Sequence, residues 1–197
     1  MFKKSNTRLA ALAITATAIM MLSIASCKKE EKTVTPAPPG NEFLTTTILT
    51  AINTAAPFDT SIAIWRDLTP DDTNPPDTSQ AILNLKKNAT YKVTIGLLDE
   101  TTTPAGDIGE DVLARANYHL FCFFPSASLS PNLTVVRTDL DSNNPPLQVG
   151  LKNNFITTNV STGLLEVVLR HQPNVKNGSC DPGSIDLDIN FTINIIN

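Results

Sequence analysis

From residue 185 to residue 195 the chain alternates without a fault. Ile185, Leu187, Ile189, Phe191, Ile193 and Ile195 fall on one side, and Asp186, Asp188, Asn190, Thr192 and Asn194 on the other. A period of two predicts a long strand with one buried and one wet face. Tyr91, Val93, Ile95 and Leu97 repeat the pattern opposite Lys92, Thr94 and Gly96, and Leu165, Val167 and Leu169 form another stripe. Leu44, Ile48 and Ile52 read as the apolar side of a threonine-rich strand. Further strands are predicted over 62–66, 81–85, 119–124, 133–138 and 147–157, with Pro, Gly, Asn and Asp in the gaps.

One segment departs from this period. In "GDIGEDVLARAN", Asp107 precedes Glu110 by three residues, a capping-box-like spacing that satisfies free amides at a helix start. A short helix is predicted over 108–116, with Val112, Leu113 and Ala116 toward the sheet. Many short one-sided strands and one helix predict an all-β fold, two antiparallel sheets packed face to face, with a barrel as the structural rival. The sandwich is immunoglobulin-like only in the loose sense. Trp65, expected in the core, precedes both Cys122 and Cys180 instead of lying between them.

The first residues follow a different logic. Lys3, Lys4 and Arg8 precede an apolar run from Leu9 to Ile24, and no acidic residue occurs before Glu30. This is the organisation of a secretory signal peptide, and the run is too short and too diluted by Ser and Thr for a spanning helix. Ile24-Ala25-Ser26-Cys27 resembles a bacterial lipobox. That resemblance implies lipidation of Cys27 and cleavage before it, with attachment to a membrane through two or three acyl chains. Lys29, Glu30 and Glu31 resemble the export signal of Bacteroidota surface lipoproteins, which implies an outer-membrane, surface-exposed location. The expected organisation is a signal peptide over 1–26, lipidated Cys27 with a Pro-rich tether over 27–40, and one β-sandwich domain over 41–197.

Charge narrows the partners. Removal of Lys3, Lys4 and Arg8 from 15 basic residues, against 19 acidic ones, deepens the formal charge from −4 to about −7. Nucleic acid, which calls for basic patches, is not an expected partner. Cys122 and Cys180 would share an oxidising compartment, and either a disulfide between them or two free thiols fits the sequence.

Chemistry is sparse. Neither G-x-S-x-G nor H-E-x-x-H occurs. His119 and His171 each adjoin a predicted strand; strand pairing could unite them, but they read first as buried or edge histidines bonded to backbone. "DLDSNN" over 139–144 places oxygen ligands at alternate positions, as calcium likes, yet the EF-hand positions for Gly and Glu hold Asn144 and Gly150. That segment and the acidic loop over 67–74 therefore read as polar turns. No catalytic residue and no metal set is assigned, and no cofactor is expected.

Beyond the signal, "IWRDLTPDD", "YKVTIGLLDETTTPAGDIGEDV", "YHLFCFF" and "VVLRHQPNVK" resemble stretches of small Bacteroidota lipoproteins of unknown function. The resemblance implies one lipid-anchored β-rich domain and transfers no activity. The resulting expectation is a non-catalytic surface module for an unknown glycan or protein ligand. An accessory subunit of an outer-membrane complex and a hydrolase with an unrecognised site are the alternatives.

Overall fold

A computed structural model describes residues 43–69 and 74–197. The signal peptide, Cys27, the tether and residues 70–73 of the first acidic loop lie outside the described residues.

The chain forms a β-sandwich. One sheet runs β2 (Thr60–Arg66), β1 (Thr46–Asn53), β4 (Thr90–Asp99), β8 (Lys152–Thr157) and β7 (Leu133–Arg137), with the short β5 (Gly106–Asp107) also paired to β4. The other runs β3 (Ile82–Lys86), β10 (Ser184–Ile196), β9 (Ser161–His171) and β6 (His119–Pro125). All pairings are antiparallel except β3 with β10, so the second sheet is mixed. The sheets do not close into a barrel. Among the described residues no helix is long and apolar enough to cross a membrane.

The predicted stripes fill the space between the sheets. Tyr91, Val93, Ile95 and Leu97 face Leu165, Val167, Leu169, Ile189, Phe191 and Ile193, all buried. Phe123 meets Phe155 edge-on across the core, with ring centroids 6.1 Å apart.

Two stripes are placed differently from the sequence reading. In β1 the buried side is Leu49 and Ala51, while Ile52 is exposed. Register decides this: Leu49 and Ala51 pair with Ile95 and Val93 of β4, and partners directly opposite share a face. In β10 the alternation fails at its first position, where Ile185 is 50% exposed. A β-bulge between Ile185 and Leu187 causes the break.

The helix α1 spans Ile108–Ala114, and Asp107 caps it by accepting from the Glu110 amide. Ile108 and Val112 are buried and Ala116 packs on the core, but Leu113 is exposed. Trp65 is half-buried against the core.

The expected strand over 147–157 begins only at Lys152. The residues before it cross between the sheets instead. The Phe121 amide donates to Val149 and the Ile95 amide to Leu151, so one short segment pairs with both sheets. Gly150 makes the crossing feasible. Its φ is +94°, and a Cβ there would stand 2.8 Å from the Phe121 Cβ. Arg137 completes this side by donating from Nε to the Phe121 carbonyl at 2.6 Å.

Candidate functional site

The chain's two histidines come together. β6 opens at His119, after a 3-10 turn over Ala116–Tyr118, and β9 closes at His171. The β6–β9 register sets these residues directly opposite each other. Both share the inward parity of Phe121 and Leu169, two pairs further along, and both are buried. Their ring centroids are 5.0 Å apart and the planes are inclined by 30°.

The β10 bulge supplies the third member. Ile185 pairs with Arg170 and Leu187 with Leu169, which leaves Asp186 as the extra residue. Bulges re-aim side chains in this way. Strict alternation would send Asp186 to the wet face. Instead its Oδ2 lies 3.6 Å from His119 Nε2 and 3.8 Å from His171 Nδ1. One donor atom from each of the three residues falls within 4.8 Å of the others. Gly183, at φ +86°, brings the chain into β10 so close to the His171 carbonyl that a Cβ would collide with it.

The hydrogen bonds fix much of the electrostatics. His119 Nδ1 lies 3.1 Å from the Arg115 carbonyl, which only accepts, so this nitrogen carries the proton. The other ring nitrogen, Nε2, faces Asp186. Burial pushes the His171 pKa below its ordinary value; Asp186 works against this, and His119 and Arg115 add to it. His171 Nε2 is buried without a hydrogen-bond partner. The side chains of His119, His171 and Asp186 are only 1%, 7% and 14% exposed.

Cys122 and Cys180 are joined by a disulfide, with Cα atoms 6.1 Å apart. Cys122 lies with Leu120 and Val168 in a small cluster separate from the main core, and Cys180 packs on it. The bond thus holds the loop over 172–183 against one face of the sheet, while the histidines occupy the other. Gln172 steadies the loop through bonds from Nε2 to the Ser179 and Pro182 carbonyls, each 2.9 Å.

The 139–144 segment is a turn built on its own carboxylates. Asp139 accepts from the amides of Gly150 and Leu151 at 2.7 and 3.0 Å. Asp141 accepts from the amides of Leu147 and Asn143 at 2.8 and 3.0 Å, and from Asn143 Nδ2 at 2.8 Å. Lys176 Nζ, 2.7 Å from Asp141 Oδ2 and 2.9 Å from the Ala116 carbonyl, supplies the cation. Burial pushes the Asp141 carboxyl pKa upward, but the bonds from Lys176, Leu147 and Asn143 outweigh it and hold the pKa below its ordinary value. The other acidic loop starts at Asp67, after β2 at the other edge of the sheet that β7 borders, where its carboxylate accepts from the Thr69 amide. Three strands separate β2 from β7, so Asp67 itself does not meet the 139–144 segment. A shallow groove of about 390 Å³ lies between Leu113–Tyr118 and Leu140–Ser142, beside the Asp141–Lys176 pair.

Asp186 is the member that sequence reasoning missed. Its position in a clean alternation marks it as a wet-face residue, and no local signal announces the bulge. Comparison with protein-family models, curated proteins and solved structures finds no match to this chain.

Proposed function

We propose that the chain is a lipid-anchored lipoprotein of the outer membrane, displayed on the cell surface, and that its sandwich is a non-catalytic binding module for a glycan or protein. The Ile24–Cys27 lipobox and the acidic residues after it support the anchor. One structural observation supports the binding role: the turns at one end of the sandwich form a cross-linked row. β1 begins at the end that carries α1 and the crossing segment, so an N-terminal anchor would join the domain there. The cross-linked row lies at the opposite end.

At that opposite end, Thr54 donates to Thr90, Asn88 to Thr158, and Thr158 to Asn132, all through backbone bonds. Ser161 Oγ adds a bond to the Ser128 carbonyl at 2.7 Å. The row presents Asn, Ser and Thr side chains with exposed Phe58 (70%) and Val160 (53%). Adaptable polar groups around a few apolar anchors, held on a rigid scaffold, suit recognition.

The test uses an epitope inserted beside Asn159 and antibody labelling of intact cells, with a periplasmic protein as the intactness control. Labelling without permeabilisation is expected. Labelling only after permeabilisation would overturn surface display. Cys27→Ala is expected to move the protein from the alkaline-washed membrane pellet to the soluble fraction, and retention in the pellet would overturn the lipid anchor.

A further inference from the structure

We propose that His119, His171 and Asp186 form a binding site for one divalent transition-metal ion of the zinc type. The spacing of the donors is the first reason. Two ligands bound about 2.1 Å from a tetrahedral ion stand about 3.4 Å apart. Asp186 Oδ2 lies 3.6 and 3.8 Å from the two imidazole nitrogens. These separations exceed a hydrogen bond and fall within a few tenths of an ångström of the spacing an ion would set.

The hydrogen bonding and the backbone point the same way. The Arg115 carbonyl accepts from His119 Nδ1 and so orients Nε2 toward the carboxylate, the outer hydrogen bond that metal-binding histidines use. The carboxylate sits between two imidazole nitrogens, a mixed oxygen and nitrogen donor set with one facing atom from each residue. His171 presents Nδ1 to the same carboxylate oxygen, 3.8 Å away, so one donor atom from each of three strands converges on one spot. The backbone itself is arranged for the contact, because only the bulge turns Asp186 inward.

Two imidazoles and one carboxylate suit zinc, with water completing four ligands; calcium and magnesium call for oxygen-rich shells. The ion would tie β6, β9 and β10 together where the 172–183 loop returns to the sheet. The Cys122–Cys180 bond fixes the same loop on the other face, so the ion acts as a second staple.

The chain has only two histidines, so their imidazole resonances report on this site alone. The experiment uses the full chain in detergent, without a histidine tag, stripped by a chelator. Stoichiometric Zn²⁺ is expected to shift both imidazole signals. Titrated Co²⁺ is expected to bind one per chain, with the intense visible bands of a tetrahedral site that Zn²⁺ then removes. Asp186→Asn, nearly isosteric, is expected to weaken Co²⁺ binding at least tenfold, and Asp188→Asn on the wet face to leave it unchanged. Imidazole signals unmoved by Zn²⁺ would overturn the proposal, as would Asp186→Asn binding as tightly as wild type. The Zn²⁺ experiment needs no variant, so it decides the matter even where Asp186→Asn does not fold.

Discussion

Replacing Lys176 by Met tests the buried pair that joins two loops at the α1 end of the sandwich. The side chains of Lys176 and Asp141 are 2% and 0% exposed, so neither charge has recourse to water. Met preserves most of the aliphatic stem and removes the ammonium. Asp141 then keeps three neutral donors, from Leu147 and Asn143, and loses its counter-charge. Breaking a buried pair from one side costs about 3–5 kcal/mol, and the three surviving hydrogen bonds place the loss near about 3 kcal/mol. For a domain of this size that lowers Tm by about 6–12 °C. Urea unfolding followed by the fluorescence of Trp65, the only tryptophan, measures it directly. The sign of the pH dependence is determined. In the wild type the Asp141 pKa is lowered, so its contribution is present above the unfolded carboxylate value of about 3.9 and lost as pH falls through the folded value. In Lys176→Met the lowering by the ammonium is lost and the folded pKa rises from its wild-type value. The deficit is therefore full at neutral pH and shrinks as the carboxyl takes up its proton toward pH of about 4. Adding Asp141→Asn, which keeps an acceptor for the two amides, should recover at least half of the loss. A deficit under about 1 kcal/mol at pH 7, with an unchanged m-value, would refute the reasoning, because that is how a solvated pair behaves.

Two further predictions concern the same end of the molecule. Cys122 and Cys180 are separated by 58 residues, so replacing both by Ala should destabilise the domain by about 4 kcal/mol through the gain in denatured-chain entropy. The same denaturation experiment checks this, and a change under about 1 kcal/mol would mean that the loop closes equally well without the bond. Gly150→Ala combines a disfavoured φ of +94° with a Cβ 2.8 Å from that of Phe121, and should cost about 2–4 kcal/mol. Near-neutral stability would show that the crossing segment can shift away from β6.

The sequence is most informative where one physical rule acts alone. A strand with one buried face must alternate, so the stripes of β4, β9 and most of β10 were legible from hydrophobic positions. The α1 start was legible as well, because Asp107 caps locally. The inward side of β1 was not: Ile48 and Ile52 looked like the core face until pairing with β4 selected Leu49 and Ala51. The parallel pairing of β3 with β10 joins residues far apart in the chain, and no local pattern encodes it.

The candidate site shows the same division. The residues themselves provided two histidines next to strands and a carboxylate in an alternating run. Only tertiary structure made them neighbours. Register across β6 and β9 set His119 opposite His171, and one extra residue in β10 turned Asp186 from the wet face to the buried one. Periodicity records which face a side chain occupies while the strand stays regular. It carries no information about which strand lies alongside or where the ladder slips by one residue, because both depend on the packing of distant segments.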